Sequence, residues 1–95
     1  MDPEDLIELV VDQTSFLKFV EALRKDREAS DCQEKNNPSS PFGPTALGWQ
    51  NGSIESFLEA GIGWADDTDF GVLRLGEASP WRLFAEFLMA GKNYE

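Results

Sequence analysis

The chain has 95 residues, 18 acidic against 8 basic side chains and a formal charge of −10, which is one domain's worth of sequence with a strong negative field. That field argues against direct nucleic-acid binding and against an anionic membrane surface, since both carry the same sign; it suits solubility, a basic partner or a cation. A single cysteine, Cys32, permits no intrachain disulfide, and the absence of histidine removes Ser–His–Asp and Cys–His catalysis and the common zinc sites together.

The opening MDPEDLIELVVD is acidic where a secretory signal is basic, and Leu6 to Val11 is interrupted by Glu8 and too short to span a bilayer. The sequence therefore predicts a cytoplasmic protein. Pro3, Glu4 and Asp5 suit a helix start, while Leu6 to Val11 equally suits a short strand paired with residues 72–76, so this segment stays open between helix and strand.

Residues 13–29 form the first predicted principal helix. Phe16, Phe19, Val20 and Leu23 follow i, i+3, i+4, i+7 spacing, Asp12 can accept amide hydrogens of the first turn, and Lys18, Glu21, Arg24, Lys25, Asp26, Arg27 and Glu28 form the polar side. Residues 30–52 carry three prolines and a polar run, and read as a long loop or insertion whose second half is pinned to the core by Phe42, Leu47 and Trp49.

Residues 54–65 form the second helix. Ser53 is its N-cap and Glu55 lies in its positive first turn. Ile54, Phe57, Leu58, Ile62 and Ala65 are placed on its buried face. Gly61 and Gly63 each cost about 0.5–1 kcal/mol relative to Ala in a helix, so either another backbone approaches closely there or the helix is irregular in its last turns. Asp66, Asp67 and Asp69 follow as a carboxylate cluster. They read as a solvated helix end, a contact patch or a weak cation site; the spacing does not meet the EF-hand pattern. Acids at a helix C-terminus oppose the dipole, so helix stability does not explain them.

Residues 79–91 form the third helix, with Ser79 as N-cap, Pro80 at the first helical position and Gly91 as C-cap. Trp81, Phe84, Ala85 and Leu88 make one stripe, widened by Phe87 and Tyr94. Phe16, Phe19, Phe57, Trp64, Phe84 and Leu88 are assigned to the core. Trp49, Trp81 and Tyr94 border loops or the terminus and are left between core and surface.

No motif carries a reaction. Asp69-Phe70-Gly71 spells the kinase metal triplet, but the chain lacks the glycine-rich and catalytic loops that give it meaning. Gly61-Ile62-Gly63 lacks the strand context of a dinucleotide fingerprint. Glu55 and Glu59 fall at i, i+4 on a polar helix face and read as solvated surface. No catalytic, cofactor or metal residue is assigned.

Two stretches carry a resemblance. Trp49-Gln50-Asn51-Gly52-Ser53-Ile54-Glu55-Ser56-Phe57-Leu58-Glu59-Ala60 fits W-x-N-x-[ST]-[LI]-x-x-[FY]-L-E-A. Residues 80–95, PWRLFAEFLMAGKNYE, fit the closing pattern P-S-W-x-x-[FL]-A-x-x-L-x-A-[GA]-K-x-Y-E, with Ser79-Pro80-Trp81 standing where the pattern has Pro-Ser-Trp. Together with Phe16, Phe19 and Leu23, these resemble a family of small, acidic bacterial proteins of unknown function. The resemblance implies a fold and no activity.

The sequence thus predicts a small, mainly α single domain over residues 1–95, with three principal helices and an optional minor strand pair. The expected function is a non-catalytic protein-binding module of immunity or antitoxin type that masks a basic partner surface. The expected contacts are Glu4, Asp5, Glu8, Trp49, Asp66, Asp67, Asp69, Trp81 and Tyr94, together with Asp2. The alternatives are a homo-oligomer packed through the third helix and a mimic of nucleic-acid charge.

Overall fold

The computed structural model describes residues 2–37, 45, 47–69 and 79–94. Within them lie α1 (Pro3–Leu6), a 3₁₀ turn (Ile7–Leu9), α2 (Gln13–Asn36), α3 (Ile54–Thr68) and α4 (Pro80–Asn93). No strand occurs among the described residues, so the protein is mainly α, with three principal helices and a short one before them. The suggested strand partner at residues 72–76 lies outside the described residues, as does Phe42. Leu6 belongs to α1 and Ile7–Leu9 to the 3₁₀ turn, which resolves most of the ambiguous opening as helical.

α2 starts where its cap predicts. Asp12 accepts from the Ser15 amide at 2.9 Å, and Ser15 Oγ accepts in return from the Asp12 amide at 3.0 Å. This reciprocal pair satisfies amide donors that the first turn leaves open. The helix does not stop at residue 29. SDCQEKN continues it to Asn36, because no glycine or proline interrupts the chain before Pro38. Ser30, assigned to the loop, is buried in that extension and donates to Thr45 Oγ1 at 2.9 Å. The predicted 30–52 loop is therefore shorter at its start.

α3 and α4 are capped in the same way. Ser53 accepts from the Ser56 amide and Ser79 from the Arg82 amide, with Pro80 at the first helical position. α3 extends past residue 65 to Thr68, so Asp66 and Asp67 lie inside its last turn rather than after it. Asp69 ends the helix in the left-handed region at φ 53°, a conformation Asp adopts more readily than most residues. Gly91 is not a C-cap: it is buried within α4, which runs on to Asn93.

The core gathers Val10, Phe19, Leu23, Trp49 and Ala85, with Phe16, Phe57, Trp81 and Leu88 half-buried around them. Phe16 packs against Trp81 at 5.5 Å between ring centroids, and Trp49 stacks on Phe57 at 6.2 Å. Phe84, assigned to the core, is 56% exposed. The face chosen for α3 is also corrected: Ile54, Leu58 and Ile62 are exposed, and the helix packs on α4 through Phe57, Ala60 and Gly61.

Small residues explain that rotation. A Cβ on Gly61 would stand 2.8 Å from the Phe87 ring, and one on Gly91 would stand 2.6 Å from the Phe57 ring. The two contacts pair residue 61 with 87 and residue 57 with 91, so α3 and α4 run antiparallel. Each helix sets an aromatic ring on the other's glycine. The more hydrophobic-looking edge of α3 loses to the edge that permits close approach. α3 packs chiefly on α4, α4 also packs on α2, and α2 and α3 barely touch.

We expect Gly61→Ala and Gly91→Ala each to lower stability by about 1–2 kcal/mol, because overpacking outweighs the gain in helix propensity. Gly52→Ala, whose Cβ would meet nothing nearer than Arg27 at 3.9 Å, should be near neutral. Thermal melts followed by circular dichroism compare the three; a stabilised Gly91→Ala variant contradicts the packing account.

Candidate functional site

Lys92 is the most unusual residue in the chain. It stands in the last turn of α4, where a cation favours the helix dipole, yet it is only 2% exposed. Its ammonium donates to Asp26 Oδ2 at 2.7 Å and to Glu4 Oε1 at 3.0 Å. Asp26 Oδ2 also accepts from Trp49 Nε1 at 2.8 Å. The Trp49 ring lies 5.6 Å from the Lys92 ammonium and 5.1 Å from the Arg27 guanidinium. One cluster thus joins α1, α2, the segment before α3, and α4.

The backbone repeats the connection. The Gln50 amide donates to the Lys92 carbonyl at 2.9 Å, and Asn51 Nδ2 donates to the carbonyls of Gly91 and Tyr94, both at 2.9 Å. Carbonyls at the end of α4 that lack intrahelical partners are satisfied by the Trp49-Gln50-Asn51 segment. The two stretches singled out in the sequence as W-x-N and A-G-K-x-Y are therefore in direct contact.

Burial by itself pushes the Lys92 pKa down, but hydrogen bonds to Asp26 and Glu4, with their charges, more than offset it. The pKa lies above the ordinary lysine value, so the ammonium stays charged at neutral pH. That is the reverse of what a lysine nucleophile or general base requires.

The candidate contact residues divide into two groups. Several serve the fold. Glu4 holds Lys92, Glu8 pairs with Arg82 Nη2 at 3.3 Å, and Arg82 also pairs with Glu86 at 3.0 Å. Two ion pairs ten residues apart on α4 thus fasten the N-terminal segment. Trp49, placed among the surface contacts by the sequence, is 6% exposed and belongs to the core. Trp81 is half-buried against Phe16. Tyr94 is half-buried, and its hydroxyl donates to Asp67, a bond that raises the Tyr94 pKa.

The remaining acids face water. Asp2, Asp5, Asp66 and Asp69 are exposed, as are Glu55 and Glu59. No group of three or more carboxylates or thiols converges on a cation-sized site among the described residues.

Lys92 and Asp26 were not singled out in the sequence, although their spacing marks them. Asp26 falls three residues after Leu23 and seven after Phe19, on the apolar stripe rather than the polar side. Lys92 falls four residues after Leu88 and seven after Ala85.

Residues 12–95 match a family of unknown function, DUF7660. The chain belongs to that family. Neither a search of curated proteins nor one of solved structures returns a match. The DUF7660 match spans Asp26, Trp49, Asn51 and Lys92, whereas Glu4 lies ahead of it.

Lys92→Met should destabilise the protein by roughly 3 kcal/mol, because it leaves Asp26 without its cation in a site only 13% exposed. Adding Asp26→Asn should cost less than the two single losses summed. The sign with pH follows from the raised pKa. The Lys92 contribution is complete below the unfolded lysine pKa of about 10.4 and fades as pH rises through the higher folded value. Urea melts between neutral pH and pH above 10 should show that loss in the wild type and a smaller one in Lys92→Met.

Proposed function

We propose that this DUF7660 member is a non-catalytic bacterial protein-binding module, of immunity or antitoxin type, that masks a basic surface on a partner in the cytoplasm. The observation that carries this reading is the unequal use of charge. Arg24, Lys25, Arg27, Arg82 and Lys92 all pair with the protein's own carboxylates. Asp2, Asp5, Glu55, Glu59, Asp66 and Asp69 make no ion pair among the described residues and face solvent. Lys92 and Arg82 are taken up within the fold, and Arg24, Lys25 and Arg27 are paired along α2. That leaves Lys18 and Lys35 as the exposed cations without an ion pair among the described residues, against six such carboxylates. A surface of this kind speeds association with a cationic partner and discriminates against acidic ones. No helix among the described residues is long and apolar enough to cross a membrane.

Phe84, 56% exposed on α4, favours a second reading, a homo-oligomer packed through that helix. A concentration-independent monomer mass in light scattering excludes it.

Affinity capture from cells of the native host, at low and then high salt, tests the main reading. The expected result is a basic protein retained at low ionic strength, with an association rate that falls steeply as salt rises. Recovery of no basic partner under either condition overturns the proposal.

A further inference from the structure

α3 is anchored on α4 by one face and leaves the flank beside that face bare. Ile54, Leu58 and Ile62 recur every four residues along it and are 77%, 47% and 57% exposed. At 100° per residue they fall on a single stripe, and Glu55, Glu59 and Asp66 form a row immediately beside it. α3 contains no lysine or arginine. The position of Asp66 near the negative end of the helix is unfavourable within the fold, and a cation supplied from outside would relieve it.

The stripe does not end at Ile54. Because α2 and α3 barely touch, a cleft of about 410 Å³ opens between them, with Val20, Leu23, Phe57 and Leu88 in its walls, Ile54 at its edge, and Arg24 and Arg27 on its α2 side, paired with Glu21, Glu28 and Asp31. An apolar track thus runs from a socket large enough for a side chain, along the outside of α3, with carboxylates on one flank. Contiguous apolar surface rimmed by charge marks an interaction site.

The flank decides among occupants. A second copy would bring the same carboxylate row and another charge of −10 to the face. An anionic lipid surface is repelled for the same reason. A small apolar ligand would fill the cleft and leave the Ile54–Leu58–Ile62 stripe in water. A cationic amphipathic helix matches the stripe and the carboxylate row; at the cleft, where Arg24 and Arg27 are already paired with the protein's own carboxylates, it presents an apolar side chain and no charge.

We propose that the outer face of α3, with the adjoining cleft, is the docking surface for a cationic amphipathic helix of the partner. Its apolar side lies along Ile54, Leu58 and Ile62 and sends one side chain into the cleft, and its lysines or arginines stand opposite Glu55, Glu59 and Asp66. This is the helix-in-groove mode of recognition. It rests on the reading that the protein masks a basic partner, and it states where.

The probe is a leucine–lysine peptide of about 15 residues, long enough to form a helix when bound, with leucines at i, i+3, i+4, i+7 spacing. A scrambled peptide of the same composition and an all-lysine peptide of the same length are the controls. Calorimetry should show that the patterned peptide binds best. Leu58→Glu and Ile62→Glu should each weaken it about tenfold or more, and Glu59→Lys should weaken it most at low salt. All three positions are exposed, so melting temperatures should hold near the wild-type value. Equal binding of patterned and scrambled peptides, or indifference to Leu58→Glu, overturns the docking surface. So does a dimer in light scattering that Leu58→Glu dissociates, since the occupant is then a second copy. If the surface fails this test while a native basic partner is still captured at low salt, the masking reading stands and only its location is wrong. If no basic partner is captured either, both fall.

Discussion

The architecture depends on one buried cation. Lys92 can sit at 2% exposure only because two carboxylates and an indole ring surround it, and those groups come from three other parts of the chain. Removing a charge from water is costly, and mutual attraction offsets that cost only when geometry is good and remaining polar atoms are bonded. Asp26 meets the condition by accepting from both Lys92 and Trp49 with one oxygen. A cluster of this kind adds little net stability compared with a well-packed apolar replacement. Its effect is to penalise arrangements in which any of the four segments is misplaced.

The second constraint is steric. Gly61 receives the Phe87 ring and Gly91 receives the Phe57 ring, so the contact between α3 and α4 is aromatic-on-backbone in both directions. This close packing fixes which edge of α3 turns inward. It also dictates what is left outside: with Phe57, Ala60 and Gly61 committed to α4, Ile54, Leu58 and Ile62 are left exposed. The exposed stripe is a consequence of how the helix pair was solved, and the slight contact between α2 and α3 leaves the cleft beside it.

Local signals in the sequence were enough to locate the helices. Asp12, Ser53, Ser79 and Pro80 act through their immediate neighbours, and each performs as its type and position predict. Helix ends were harder, because α2 runs seven residues past Ala29 for want of a breaker, and Gly91 looks like a terminator while acting as a seat for a ring. The facing of α3 was not legible, since Ile54, Leu58 and Ile62 form as regular a stripe as the true inner face. Only the ring that docks from α4 distinguishes them. The Lys92 cluster was half-legible: the W-x-N and A-G-K-x-Y stretches stood out as patterns, but a contact across more than forty residues has no local signature. Assigning Glu4, Glu8 and Asp67 to surface contacts treated all exposed-looking acids alike, whereas three of them hold Lys92, Arg82 and Tyr94.

That division separates the acids that hold the fold from those that stand in solvent. Asp26 facing Lys92 and Glu86 facing Arg82 act at about 3 Å in sites from which water is largely excluded, where dissolved salt screens weakly. The carboxylates of α3 stand in solvent, where their field reaches about 10 Å at moderate ionic strength and is readily screened. Salt can therefore tune the outward charge without loosening the clamp beneath it. The protein thus holds Lys92 and Arg82 where they determine shape, and carries the carboxylates of α3 on a helix whose inner face is already committed to the fold.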